Sequence, residues 1–197
     1  MGQYYDILLK RENYEHYEHY GSSVDGVYVP GKLMEHSWWE NAMLGAVCRL
    51  IYEMPAKIFW VGDYADKADS VNGMTESEIL KIYRLCYGNG SLERKTLSGK
   101  DLLVLDDKFL VDHTKQEYID CTAYFDKSLD ENGWAIHPLS LMTAIGNGPG
   151  GDYRGVNEER VGEWAGDLIS VENTPPENFK KNDVYFSERY VVCVSAH

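Results

Sequence analysis

Two short turns in the sequence carry residue types that bind metal ions. The tripeptide Gly-Asp-Tyr occurs at residues 62–64 and again at residues 151–153, each time after a hydrophobic stretch. Asp63 and Asp66 are three residues apart, so both carboxylates can face one cation. Histidines at predicted element boundaries would complete such a site, since carboxylate and imidazole ligands together suit zinc or another divalent transition metal. The sequence therefore predicts a zinc site whose ligands are His36, Asp63, Asp66 and His137.

The same two turns have two other interpretations. If they converge without a metal, their side chains line a small-molecule site formed by Tyr64, Asp152 and Tyr153 together with Trp134. Alternatively, the aspartates accept hydrogen bonds from nearby backbone amides, and the histidines, His113 among them, are ordinary boundary residues. From the sequence alone, a metal site, a ligand site and a pair of structural turns all stay open.

The second turn ends a glycine-rich loop, residues 146–155, with the sequence GNGPGGDYRG. Three of its glycines match the G-x-G-x-x-G pattern of dinucleotide sites, in which backbone amides and a helix N-terminus bind the pyrophosphate. Here Pro149 removes one amide donor, and Asp152 would lie beside the phosphates. Later glycines also weaken the helix that this site requires. We therefore interpret the loop as a sharp turn in which glycine accommodates positive φ angles.

The charge of the chain is strongly negative and unevenly distributed. The formal net charge is −13, and residues 101–197 contribute −10 of it, with 18 Asp and Glu against 8 Lys and Arg. Such a surface repels phosphate backbones, so direct nucleic-acid binding is disfavoured. An acidic surface can serve solubility alone, or it can dock on a basic surface of a partner protein. For the second case we expect contacts from Asp126, Asp130, Glu131 and Glu158.

Hydrophobic periodicity predicts an α+β fold with a mainly antiparallel sheet and two helices in the N-terminal half. The first helix is expected to begin at a capping box formed by Ser37 and Glu40, and to end before Pro55. The second is expected to follow Thr75 and to end near Gly88. Strands are predicted at residues 3–10, 57–61, 102–105, 108–112, 116–121, 134–139, 168–171, 184–186 and 190–194. Length and 44% hydrophobic content suit one domain, residues 1–197.

Other functional signals in the sequence are weak. It contains no long apolar run and no basic-apolar leader, so we expect a cytoplasmic protein without a membrane segment. The four cysteines are far apart and include no C-x-x-C pair, which favours reduced core residues. The motifs G-x-S-x-G and H-E-x-x-H, typical of hydrolases and metalloproteases, do not occur. The sequence thus favours binding over catalysis.

Several stretches of the sequence are distinctive: the opening MGQYY, residues 32–38 (KLMEHSW), residues 60–66 (WVGDYAD), residues 134–139 (WAIHPL) and the glycine-rich loop. In these stretches the chain resembles a family of uncharacterised proteins of bacteriophages and phage-bearing bacteria. The resemblance covers most of the chain. Small acidic phage proteins of this kind include inhibitors of host defence, among them anti-CRISPR proteins that occupy basic surfaces of an effector nuclease, and some carry a structural metal. The resemblance implies no catalytic residue.

Charge and resemblance together favour an inhibitor of a host defence system. Its most concrete form is an anti-CRISPR protein, acting in the host cytoplasm, that binds a basic surface of the effector nuclease and blocks nucleic-acid loading. The alternative is a small-molecule-binding protein or metal-dependent enzyme whose site lies between the two Gly-Asp-Tyr turns. A stoichiometric complex that weakens with salt would indicate the inhibitor, whereas turnover at substoichiometric amounts would indicate an enzyme.

Overall fold

A computed structural model describes residues 3–68, 71–146 and 153–188 of the chain. Within these residues, ten strands form one sheet, in the order β10-β7-β6-β9-β4-β1-β2-β3, with β5 beside β2 and β8 beside β4. The strands are β1 (Tyr5–Arg11), β2 (Glu18–Val24), β3 (Val27–Tyr28), β4 (Ala56–Gly62), β5 (Arg94–Leu97), β6 (Phe109–Asp112), β7 (Glu117–Asp120), β8 (Ala144–Ile145), β9 (Leu168–Glu172) and β10 (Lys180–Lys181). Most neighbouring strands are antiparallel, as predicted, while β5, β8 and β10 each pair in parallel.

Helices occur along the whole described chain, so their predicted confinement to the N-terminal half is wrong. They are α1 (Leu33–His36), α2 (Ala42–Leu50), α3 (Glu76–Tyr87), α4 (Cys121–Ser128) and α5 (Pro138–Met142). Part of the expected strand at residues 134–139 forms the start of α5 instead. Pro138 occupies the first turn of this helix, where its missing N–H costs nothing, and His137 caps it by accepting a hydrogen bond from the Leu139 amide.

The two predicted helix starts had different outcomes. Helix α3 follows Thr75 as expected, and Thr75 forms a capping box with Glu78. The capping box at Ser37 is wrong, because α2 begins four residues later and is capped by Asn41, whose side chain accepts from the Met43 amide. Ser37 ends the short helix α1, and its hydroxyl donates to the Leu33 carbonyl. A polar residue suited to an N-cap can therefore occupy the opposite end of a helix.

The central strands are buried on both faces of the sheet. On β1, Ile7 and Leu9 belong to the larger hydrophobic cluster, while Leu8 between them belongs to a smaller cluster packed with α3. This alternation follows from the two-residue period of side chains along a strand. The larger cluster includes apolar residues of α2, α4 and α5, which lie on the same side of the sheet. No helix in the described part of the chain has the length and apolar character needed to cross a bilayer.

The sheet contains strands from both the N-terminal and the C-terminal half of the sequence. Strand β4 pairs with β1 along seven residues and with β9 through Ala56 and Lys57, which lie opposite Ile169 and Leu168. Strand β9 in turn pairs with β6. The N-terminal and C-terminal halves are therefore parts of one hydrogen-bonded layer, and surface segments from both halves can meet above it.

Candidate functional site

A cavity of about 730 Å³ lies where four segments of the chain meet. These segments are the turn before α2, the loop before β6, the first part of α4, and the loop that connects α4 to α5. The cavity is open to solvent, because several of its lining residues are exposed, including 56% of Trp134. Its aromatic lining consists of Trp38, Trp39, Phe125 and Trp134, and its acidic lining of Glu40, Asp106 and Asp107.

The aromatic side chains of the cavity support one another. The Trp39 ring stacks on Tyr124 with centroids 6.1 Å apart and contacts Phe125 at 5.0 Å. Trp38 meets Trp134 edge to face at 5.4 Å. Such contacts add to the energy of area burial and fix the ring planes. The cavity therefore has preformed aromatic walls.

The acidic side of the cavity carries no compensating positive charge. Asp106 and Asp107 are exposed, as is Glu40 on the neighbouring segment. The Trp39 indole N–H donates to Asp106 Oδ1 at 3.2 Å, which orients that carboxylate. The backbone amide of Asp107 donates to Thr122 Oγ1 at 3.2 Å, which holds the loop against α4. Among the lining residues in the described chain there is no Lys, Arg or His.

The loop that carries Trp134 is held by a local turn and by backbone pairing. Asp130 Oδ1 accepts hydrogen bonds from the amides of Asn132 at 2.9 Å and of Trp134 at 2.8 Å. Gly133 has a φ of +83°, a conformation that side chains rarely adopt. The Trp39 amide then donates to the Ala135 carbonyl at 3.0 Å. The two tryptophan-bearing segments are thus tied together although they are about a hundred residues apart in sequence.

A buried cysteine and histidine lie behind the cavity. The His137 ring contacts the Trp39 ring at 5.5 Å. Its Nδ1 accepts from the Leu139 amide, so Nε2 carries the proton of the neutral ring and faces Cys48 Sγ at 3.6 Å. Burial lowers the pKa of His137 to about 3 and raises the pKa of the Cys48 thiol. Both groups are therefore neutral, and the pair lacks the thiolate that a nucleophilic cysteine needs.

His113 and Ser170 form the other arrangement that resembles a nucleophile and its base. His113 Nε2 lies 2.7 Å from Ser170 Oγ, and the Ser170 hydroxyl donates to Glu172 Oε1 at 2.6 Å. Because the serine proton faces a carboxylate, His113 donates to the hydroxyl oxygen and cannot accept its proton. Ser170 is also fully buried, out of reach of a substrate. This arrangement is structural.

The predicted zinc ligands lie in separate contacts. His36 is fully buried, and its Nε2 accepts from the Trp60 indole at 2.7 Å, while burial lowers its pKa to about 4. Asp63 Oδ1 accepts from the Tyr4 amide at 3.1 Å, and Asp66 lies in the 3-10 turn Ala65–Lys67. Across the described residues, no group of three or more His, Cys, Asp or Glu is placed to hold a metal. The zinc site stays a prediction.

The two Gly-Asp-Tyr turns have different surroundings. Tyr64 is partly exposed, and the Lys67 ammonium lies 5.4 Å from its ring centre. Residues 147–152, which include Asp152 and most of the glycine-rich loop, lie outside the described residues. Tyr153 is fully buried in the core, where its hydroxyl donates to the Val156 carbonyl at 2.6 Å. Among the described side chains that were predicted to line a ligand site, Trp134 lines the cavity, whereas Tyr64 and Tyr153 do not.

Three of the four acids predicted to contact a partner lie beside the cavity in sequence. Asp126 follows Phe125 on α4 and is exposed, and Glu131 is exposed in the loop that leads to Trp134. Asp130 holds that loop through its amide contacts, so its role includes local structure. Glu158 begins the 3-10 turn Glu158–Arg160, which does not contribute to the cavity.

Comparison of the chain with protein-family models, with curated proteins and with solved structures found no match.

Sequence reasoning did not identify the cavity. The adjacent tryptophans at 38 and 39 and the adjacent aspartates at 106 and 107 are visible in the sequence, and both pairs precede regular elements. What the sequence lacks is any local sign that these pairs meet. They meet through the hydrogen bond from the Trp39 indole to Asp106, and backbone pairing between residues 37–39 and 135–137 brings the Trp134 loop to the same place.

Proposed function

We propose that this protein is a binding protein that docks on a basic surface of a partner protein, and that the cavity is the centre of the interface. The observation that carries the proposal is the combination of four aromatic side chains and three carboxylates around one open cavity, with no basic residue among the lining residues that the structure describes. Tryptophan faces attract cations, and carboxylates complement them.

The surroundings of the cavity also suit an interface. Exposed apolar side chains are found on the segments that supply its lining or adjoin it, at Leu102, Val104, Leu129 and Trp134. A large aromatic side chain that is half exposed at a concave site is typical of an interface hot spot. The charge of −10 in residues 101–197 would steer the protein toward a basic partner.

The resemblance to phage proteins suggests the kind of partner. A host defence protein with a nucleic-acid groove, most concretely a CRISPR effector nuclease, presents Lys and Arg side chains of the required charge. Occupation of such a groove by an acidic protein would block nucleic-acid loading. The proposed role of the cavity is to hold one of these basic side chains.

The test uses the wild-type protein and two variants against a panel of purified effector nucleases. Trp134→Ala removes a half-exposed indole, and the matched control Tyr14→Ala removes a 65% exposed aromatic side chain from the turn between β1 and β2. A hot-spot tryptophan contributes about 2 kcal/mol, so Trp134→Ala should weaken the complex about 30-fold. The Tyr14→Ala variant should bind as the wild type does. Equal binding by all three proteins, or no stoichiometric complex with any member of the panel, would overturn the proposal.

A second candidate function is the binding of a small organic molecule in the same cavity. Its volume of about 730 Å³ lies within the range of small-molecule sites. This candidate is favoured if a small cation stabilises the protein against heat and no protein partner competes with it. The metal-dependent enzyme between the Gly-Asp-Tyr turns stays a prediction, since residues 147–152 lie outside the described chain.

A further inference from the structure

We infer that the cationic group held in the cavity is a guanidinium, so that the side chain recognised on the partner is an arginine. This inference rests on the proposed function and names the ligand of the same site. Three cations that proteins present are candidates: the ammonium of lysine, a methylated ammonium, and the guanidinium of arginine. They differ in shape, in hydration and in the number of hydrogen bonds that they donate.

The carboxylates of the cavity favour a ligand with several donors. Asp106 and Asp107 are consecutive on one loop, and Glu40 reaches the cavity from another segment. Asp106 is already oriented by the Trp39 indole, which occupies Oδ1 and leaves Oδ2 for a ligand. A guanidinium carries five N–H donors in a rigid planar fork, so it can bond to carboxylates on two segments at once. A lysine ammonium is a more strongly hydrated point charge.

The aromatic walls favour a planar cation. Trp38 and Trp134 meet edge to face, and Trp134 keeps 56% of its surface exposed. A planar guanidinium can stack on an exposed indole face while its edge reaches the carboxylates, which combines cation–π attraction with hydrogen bonding. The rings of Trp39 and Phe125, 5.0 Å apart, close the inner wall.

A methylated ammonium fits this cavity less well. Aromatic cages bind quaternary ammonium groups through ring faces, and a trimethylated ammonium has no N–H to donate. In this cavity the three carboxylates would then lose hydration without gaining hydrogen bonds, which is costly.

The inference is tested with three blocked amino acids that carry different cations on similar aliphatic stems: the Nα-acetyl amides of arginine, lysine and trimethyllysine. Binding to the full-length protein is followed through chemical shifts of the tryptophan indole N–H groups. We expect the arginine derivative to bind about tenfold more tightly than the other two, the contribution of about one further charge-assisted hydrogen bond. Equal or tighter binding of either ammonium derivative, or no binding of the arginine derivative, would overturn the inference.

Three variants locate the effect. The first is the double variant Asp106→Asn, Asp107→Asn. It keeps an acceptor for the Trp39 indole, and asparagine tolerates the positive φ of residue 107, so the fold should persist. The preference for the arginine derivative should disappear in this variant. Trp134→Ala should weaken binding of all three derivatives. Glu15→Gln removes an exposed carboxylate outside the cavity and should change nothing. An arginine preference that survives the double asparagine variant would contradict the inference.

The two proposals fail in different ways. If the partner complex is weakened by Trp134→Ala but the free derivatives show no arginine preference, the binding function stands and the assignment of guanidinium is wrong. If the arginine preference is observed but the partner complex is insensitive to Trp134→Ala, the cavity binds guanidinium groups and the proposed docking function is wrong.

Discussion

Two groups of acidic residues in this protein have opposite surroundings. In the buried group, Lys115 donates to Asp167 Oδ2 at 2.5 Å, to Asn72 Oδ1 at 2.6 Å and to the Glu163 carbonyl, and Asp112 is fully buried beside them. In the cavity, Glu40, Asp106 and Asp107 have no basic residue among the described lining residues. The buried acids have a cation supplied by the chain itself. If the proposed function is correct, a ligand supplies the cation to the cavity acids, and the contrast separates acids that stabilise the fold from acids that bind.

The buried group also illustrates how a carboxyl becomes protonated near neutral pH. Asp112 Oδ1 accepts from the amides of Thr114 and Lys115 at 2.8 and 2.9 Å. Burial and the neighbouring carboxylate of Asp167 raise the pKa of Asp112 to about 7, against an ordinary value of 3.8. The single ammonium of Lys115 therefore neutralises one carboxylate, and the second acid is neutral at slightly acidic pH.

The largest effect is expected when the Lys115 ammonium is removed. Lys115→Met keeps much of the apolar stem but leaves the mostly buried Asp167 carboxylate without the ammonium of the partly exposed lysine, and loss of a hydrogen bond to a charged group costs about 2 kcal/mol of unfolding free energy. Urea unfolding measures this loss. The exposed Lys100→Met is the matched control and should change stability by less than about 0.5 kcal/mol. Adding Asp167→Asn to the Lys115→Met variant should restore part of the lost unfolding free energy. If the Lys115→Met protein is as stable as the wild type, the difference between the buried acids and the cavity acids does not hold.

The second expected effect is a pH dependence of the unfolding free energy that arises from Asp112 in the buried group. Because the folded-state pKa of Asp112 is raised, the native state holds a proton that the unfolded state loses, and stability falls as pH rises from about 4 to about 7. Asp112→Asn removes this titration and keeps an acceptor for the two amides. The stability of the variant relative to the wild type should therefore increase between pH 5 and pH 7 and become constant above it. Thermal unfolding across this range checks the sign, and a constant difference would contradict the raised pKa.

The smallest expected effect on stability is at the cavity. Asp106→Asn with Asp107→Asn removes two exposed like charges, so the free energy of unfolding should change by less than about 0.5 kcal/mol, with a slight gain at low salt. Binding of a basic partner should weaken in the same protein. If this double variant destabilises the fold as strongly as Lys115→Met does, the cavity acids are structural and the comparison between the two groups fails.

The sequence predicted those parts of the fold that depend on short-range signals. The helix after Thr75 and the strand at residues 3–10 were predicted from local patterns, and the structure has α3 at Glu76–Tyr87 and β1 at Tyr5–Arg11. Ser37 was misjudged because its hydroxyl donates backward to the Leu33 carbonyl, and a serine offers the same group to either helix end. Residues 134–139 lack a signal strong enough to separate a strand from a short helix that begins at Pro138.

The candidate site was beyond sequence reasoning for a different reason. Trp38 and Trp134 are both apparent as unusual residues, yet their contact requires the pairing of segments that are far apart in the chain. His36 and His137 were expected at a metal site because of their position at element boundaries. Their ring nitrogens instead face Trp60 and Cys48, contacts that depend on tertiary packing and leave no trace in residue spacing.

The position of β9 between β6 and β4 has a consequence for synthesis of the chain. The first half of the sheet, β3-β2-β1-β4, can form soon after residue 62 leaves the ribosome, but the edge of β4 at Ala56 and Lys57 meets β9 only after residue 169 is made. At roughly 5–20 residues per second, this edge is open for about 5 to 20 seconds. An unpaired edge strand can pair with another chain. Nascent chains of this protein are therefore most exposed to aggregation during the interval in which the second half is translated.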